Sequence, residues 1–214
     1  MDAVERVFCE HLLPVYQRQM RFFAGLGSGR YEFETATGTL RFPGGATYQT
    51  QILGMETPAG EWQWAWADEK TLQPSVMEVA RELRAWGQAK EIEAFTSPQL
   101  SVASLCCQGH TLAAVGSAVK GVHPYFRCDN DGFGVYVLVT EERYESELHS
   151  LAQSAVWKLI QDMFAAFAQP DDMLTLDCAL KAAGFETEHT ETTVVARRGT
   201  VEPMVIQKAW FEGS

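Results

Sequence analysis

The sequence has no unbroken apolar run of the about 18 residues that a membrane-spanning helix needs, so it reads as a soluble protein with no membrane partner. Basic residues are scarce. Lys and Arg number 17 against 28 Asp and Glu, a formal net charge of -11 at pH 7, and no stretch gathers the cations together. Neutralising phosphates requires such clusters, so nucleic acid is not an expected partner. CxxC spacing is missing. The five cysteines, Cys9, Cys106, Cys107, Cys128 and Cys178, are an odd number with no secretory leader before them, which predicts reduced thiols in a cytoplasm rather than a disulfide framework. His11, His123, His149 and His189 show no ligand spacing, so neither a metal nor a cofactor is implied.

What the chain does have is apolar mass, 46% of 214 residues, enough for a substantial core. Its strongest signal is Gly60-Glu61-Trp62-Gln63-Trp64-Ala65-Trp66-Ala67-Asp68, where three tryptophans alternate with small or polar residues and so share one face of a β-strand. Thr47 to Glu56 is rich in β-formers, and Thr57-Pro58-Ala59-Gly60 is turn chemistry. A hairpin follows. With those four residues as the loop, Glu56 pairs with Glu61, Met55 with Trp62, Leu53 with Trp64 and Gln51 with Trp66. Neither face suits water, which puts this hairpin centrally in a sheet, with helices or further layers above and below it.

Before it, Asp2 to about Ala24 is helical in period, with Pro14 predicting a kink or two short helices. Gly25-Leu26-Gly27-Ser28-Gly29 follows a helix and opens a strand, the reverse of a phosphate-binding loop, and reads as a cap and connector. Tyr31 to Thr35 and Thr39 to Phe42 form a short hairpin. After the tryptophans, Gln73 to Gly87 is the clearest helix, and a second spans about Leu100 to Val119. Val122 to Cys128 and Phe133 to Thr140 flank the Asp129-Asn130-Asp131-Gly132 turn as another hairpin. A long helix is predicted over 141–168, then a helix from Asp171 or Asp172 to Ala183 and a strand pair near 193–197 and 201–208, with Pro203 marking an edge.

The stretches Glu34-Thr35-Ala36-Thr37-Gly38-Thr39-Leu40-Arg41-Phe42 and Gly60 to Ala67 resemble the signature of a family of uncharacterised bacterial proteins: a Thr-Gly hairpin, then a Gly-x-Trp-x-Trp-Ala-Trp-Ala strand. The likeness covers residues 1 to 140 and stops before the tail. Asp68 stands where that pattern more often has Asn. The resemblance implies the architecture and a bacterial source, and it supplies no catalytic residue because the family has no established activity.

The fold expected is therefore α+β: an antiparallel sheet of about six strands covered by helices over 1–140, with 141–214 as a C-terminal helix, helix and hairpin extension packed on the same domain. Candidate chemistry is thin, and no catalytic residue is assigned. Cys106 and His110, four apart on a predicted helix, share a face with Cys107 adjacent, a nucleophile and base in the sharp reading and core packing in the bland one. Asp129 to Gly132 lacks the ligands and glycine spacing of a calcium loop. Glu32 and Glu34 read as a solvated strand face. The ligand-binding candidates are Gln51, Trp62, Trp64, Trp66, Cys106 and His110, with the tryptophan row weighted toward core and Gln51 as an acceptor for the Trp66 indole. Two functions follow. One is a non-catalytic interaction protein, accessory or immunity-type, whose acidic surface meets a basic protein. The other is a small-molecule enzyme or binding protein with a pocket between sheet and helix. They differ in whether a cleft with convergent polar groups exists. Self-association through the 141–168 helix is compatible with either.

Overall fold

The computed structural model describes residues 1–26, 29–130 and 132–210. Residues 27 and 28 of the glycine-rich connector and residue 131 of the Asp129–Gly132 turn lie outside them.

The first helix, α1 (Ala3–Ala24), starts at a capping box in which the Asp2 side chain accepts from the Glu5 amide and Glu5 reaches back to the Asp2 amide. It runs as one helix through Pro14, whose missing hydrogen bond is outweighed by burial of Leu12, Leu13, Val15 and Tyr16 around it. Seven strands then build the main sheet: β1 (Glu32–Glu34), β2 (Thr39–Arg41), β3 (Thr47–Glu56), β4 (Glu61–Trp64), β5 (Gln99–Ser101), β6 (Tyr125–Asn130) and β7 (Phe133–Val139). All the pairings are antiparallel. Between β4 and β5 come α2 (Glu78–Ala89) and α3 (Glu93–Thr96), and α4 (Gly109–Lys120) precedes β6. The chain continues through α5 (Gln153–Ala166) and α6 (Asp172–Ala182) to β8 (Glu186–His189), β9 (Thr193–Arg197) and β10 (Met204–Gln207), a separate three-stranded sheet in the order β10-β9-β8. Its edge strand follows Pro203, as a residue without an amide donor requires. No described helix is long and apolar enough to cross a membrane.

β3 is the shared strand. Its first half pairs with β2, its second half with β4, and its other edge with β7. Along the path β1-β2-β3-β7-β6 the sheet curls until its ends meet: the Tyr31 ring, just before β1, lies 5.0 Å from Phe126 on β6, and the Tyr31 hydroxyl accepts from the Asp129 amide. On the other side helices cover the sheet. α3 sets Phe95 against Trp64 at 4.9 Å, and α4 approaches Leu53 and the α2 residue Leu83 at Gly116.

The central hairpin differs from its expected register by one residue. Glu56 faces Trp62, Met55 faces Gln63 and Gly54 faces Trp64. The Thr57 amide donates to the Glu61 carbonyl, so the loop is Pro58-Ala59-Gly60, closed by Gly60 at φ 76°, where glycine carries no Cβ penalty. The slip moves Glu56, expected beside Glu61, onto the tryptophan face and buries it. β4 also ends at Trp64. Ala65–Ala67 is a turn of 3-10 helix, so Trp66 leaves the row that the alternation predicted.

Two predicted helices are shorter than expected. The 100–119 segment gives β5 first and becomes helical only at Gly109, leaving Cys106 and Cys107 in the preceding turns. The 141–168 segment is helical only over Gln153–Ala166, after one 3-10 turn at Leu148–Ser150. The reason is that its early polar groups serve other segments: Glu141 Oε2 accepts from the Gln49 amide, the Glu142 carbonyl meets His123 Nδ1 at 3.0 Å, and the Tyr144 amide donates to the Val122 carbonyl.

Three consecutive buried polar residues bind α1 to this framework. Gln17 accepts from the Glu147 amide, and Gln19 donates to the Tyr125 carbonyl at 2.8 Å while accepting from the Tyr125 amide at 2.9 Å. Arg18 donates to the carbonyls of Ser117 and Gly121 and to the Ser117 hydroxyl, placing a cation on the C-terminal end of α4, where the helix dipole favours it. Each such group would be costly if left unpaired.

Candidate functional site

A cleft of about 740 Å³ opens between α1, the turns before α4, β6 and the end of α5. One side is apolar, with Met20, Phe23, Leu105, Phe126 and Phe167. The C-terminal segment contributes the last of these; Phe167 is held edge-on by Phe8 at 6.2 Å and Tyr16 at 6.1 Å. The polar end carries Gln108, His110 and Arg127, and these same three residues line an adjoining recess of about 240 Å³ bounded by Glu56, Thr57 and Tyr136. His110 is thus common to both spaces.

The polar side chains converge because β3, β6 and β7 present alternate residues to the same face as the start of α4. Tyr136 donates to Glu56 Oε2 at 2.7 Å. Burial, followed by the hydrogen bond and the charge of Glu56, pushes the Tyr136 phenol well above its ordinary range, so it remains a donor. The His110 ring meets Tyr136 edge-on at 5.1 Å, and its Nδ1 lies 3.3 Å from the Tyr125 hydroxyl. Burial and then the Arg127 charge lower the His110 pKa to about 4, with Asp129 opposing them. At neutral pH the imidazole is uncharged, with one donor and one acceptor. Arg127 is paired with Asp129 and lies 6.0 Å from the centre of the Tyr136 ring.

The backbone at this point is also unusual. Gln108 has φ 51° and ψ -133°, a conformation that costs a residue with a side chain on the order of 1–3 kcal/mol and is concentrated at binding and catalytic sites. Gly109, next to it, lets α4 approach the Glu56–Tyr136 pair: a Cβ there would lie 2.5 Å from Glu56 Oε2 and 2.9 Å from Tyr136 Cε2. Gly109→Ala is therefore expected to displace the carboxylate and cost about 2 kcal/mol of stability. Urea denaturation checks the cost, and a variant as stable as wild type would show that the carboxylate moves aside freely.

The residues singled out from the sequence fall in two places. Cys106 and His110 both line the cleft, although Cys106 is not on the helix with His110. Trp62 and Trp64 are fully buried, 5.2 Å apart and T-shaped, and the Trp64 indole donates to the Ala94 carbonyl at 2.8 Å. Trp66 is buried beneath Arg84, whose guanidinium is 4.2 Å from its ring centre. Gln51 does not serve Trp66. It donates to the Ser75 carbonyl and accepts from the Val79 amide at the start of α2. Glu32 and Glu34 are exposed, with Glu34 3.7 Å from Arg41. Among the described residues no three His, Cys, Asp or Glu side chains are placed to hold a metal ion.

Sequence reasoning missed Glu56, Tyr136, Gln108 and Arg127. The usable signal was Glu56 itself, a carboxylate that follows the uncharged run Ile52-Leu53-Gly54-Met55 one residue before a turn. No curated protein and no solved structure matches this chain. A family profile matches residues 5–142, which span α1 to the segment just after β7 and contain every residue of the recess, and the chain belongs to that family, a family of unknown function designated DUF6882.

Proposed function

We propose that the protein binds a small organic molecule in this cleft, its ring-bearing or aliphatic body against Phe126, Phe167 and Met20 and its polar head at His110. The observation that carries the reading is the position of His110: a neutral imidazole shared by an apolar chamber and a recess holding a hydrogen-bonded carboxylate and phenol. Such a head group would be read by His110, the Gln108 amide and Arg127 together. The cleft also draws on residues beyond the family match, since Phe167 forms part of its wall.

A thermal-shift screen of small aromatic acids, amides and alcohols tests the proposal. A ligand at 100 times its Kd stabilises the folded state by about 2.7 kcal/mol, a rise of roughly 5–10 °C in Tm for a chain of this size. The shift is expected to vanish in His110→Leu and to weaken in Phe167→Ala. A hit whose shift survives both substitutions would place binding elsewhere.

A second reading, a non-catalytic interaction protein, rests on the net charge of -11. A basic partner would be captured by an attraction that added salt weakens, and a complex insensitive to salt would refute that account.

A further inference from the structure

We propose that Cys106 is a nucleophilic thiol that opens low-molecular-weight disulfides entering the cleft, with the Thr111 hydroxyl as the donor that holds its thiolate. Both residues line the chamber and both are partly exposed, so a small molecule reaches them. The other three differ: Cys9 and Cys128 are buried in the core, and Cys178 does not line the cleft.

The local geometry aims a hydroxyl donor at one sulfur. The Thr111 hydroxyl oxygen accepts from the Cys107 amide at 3.1 Å, which directs its own hydrogen elsewhere, and Cys106 Sγ lies 3.5 Å from it. The Cys107 thiol donates to the Ala168 carbonyl at 3.2 Å, which fixes its side chain from the segment after α5 and commits its one hydrogen there. The facing titratable groups are Cys107 on the same turn and Glu5 and Cys9 on α1. The adjoining Cys107 side chain is the leading influence and the Thr111 hydrogen bond supports it. Against burial and the Glu5 charge, they bring the Cys106 thiol down to about 7. Cys107 is pushed up by its neighbour Cys106 and then by burial; burial leads in raising Cys9, Cys128 and Cys178. The contrast is therefore between one poised thiol and four quiet ones.

The reaction balances with the small disulfide as oxidant. The Cys106 thiolate attacks one sulfur of R–S–S–R, a bond forms between Cys106 Sγ and that sulfur, and the original S–S bond breaks. The released R–S⁻ takes a proton from water. One R–S group leaves reduced, and Cys106 is left in a mixed disulfide whose R group lies along Phe126 and Phe167. A second R–S⁻ reverses the step. A thiol with a pKa near the ambient pH is the most effective attacker, because it combines thiolate population with nucleophilicity. The proposal uses the chamber and not the identity of its ligand, so it stands apart from the binding reading.

Dithiodipyridine, an aromatic disulfide that releases a coloured thione, is the probe. In the wild-type protein one thiol is expected to react about tenfold faster than the others, with a rate that rises through a midpoint near pH 7. Peptide mass mapping should place the first adduct on Cys106, and Cys106→Ser should remove the fast phase while leaving the circular dichroism unchanged. Thr111→Val, which keeps the side chain's shape and removes the donor, should keep the fast site but move its midpoint to higher pH, a change that loss of packing alone would not produce. The proposal is overturned by a fast phase that survives Cys106→Ser, by an adduct mapped to another cysteine, or by a midpoint that Thr111→Val leaves in place. Failure of the thermal-shift screen would leave all these readouts intact, so the two proposals fail separately.

Discussion

Trp64→Ala is expected to destabilise the protein by about 5 kcal/mol, the upper end for a large-to-small change in a core, and so to leave it close to unfolding. Three losses combine. The ring is completely buried, so its removal opens a cavity walled by α3, β3 and Trp62. Its contact with Phe95 at 4.9 Å goes, and Phe95 in turn packs against Trp86 on α2 at 5.2 Å. The Ala94 carbonyl also loses the indole donor. Trp64→Phe, which keeps a ring in the space, should cost about half as much, and Trp66→Ala less than Trp64→Ala because Trp66 has left the strand and lies at the edge of the core. Urea denaturation midpoints rank the three. If Trp66→Ala proved the most damaging, Trp66 would belong to the ring-filled core and not to its rim.

Acidification should weaken the protein through His110. Its folded pKa of about 4 lies below the ordinary 6.5, so the unfolded chain binds the proton first as pH falls. Stability that is fully present above pH 6.5 is lost progressively down to about pH 4, below which both states are protonated and the loss is complete. At about 1.4 kcal/mol for each tenfold difference in proton affinity, the interval amounts to about 3 kcal/mol. The groups facing the imidazole explain why it resists charge: Arg127 on β6 repels the cation, Tyr125 and Tyr136 offer a hydroxyl and a ring, and only Asp129 favours protonation. His110→Gln removes the titration while the carboxylates titrate alike in both proteins. Stability measured from pH 7 to pH 4 should therefore fall about 3 kcal/mol further in wild type than in the variant. Parallel curves would mean that the cleft admits enough water to solvate the charged ring.

The elements most legible in the sequence were those fixed by neighbours along the chain. Turn residues and alternation located the first hairpin, β3 with β4, and β6 with β7. The period of Val79, Ala80 and Leu83 located α2, and Asp171 located the start of α6, whose Leu174 amide it caps. The candidate site was legible only at Cys106 and His110. Glu56 was hidden by a single loop residue, since a three-residue turn in place of four flips the side chains of β3 over relative to those of β4. Tyr136 was one of five apolar residues in a row, and nothing local distinguished the one whose hydroxyl meets a carboxylate from β3. Nothing local distinguishes Arg18 and Gln19 within the helical period of α1. Their partners lie about 100 residues away in α4 and β6.

The sequence by itself determined that this chain folds around an aromatic hairpin, with helices and an antiparallel sheet, because periodicity, turn chemistry and capping act over a few residues. The tertiary structure alone decided that Glu56, Gln108, His110, Arg127 and Tyr136 meet at one cleft, and that Phe167 helps to wall it. The physical reason is range. A side chain's face depends on register, and its partners depend on how strands distant in sequence pair, both set by the packing of the whole core rather than by any local stretch.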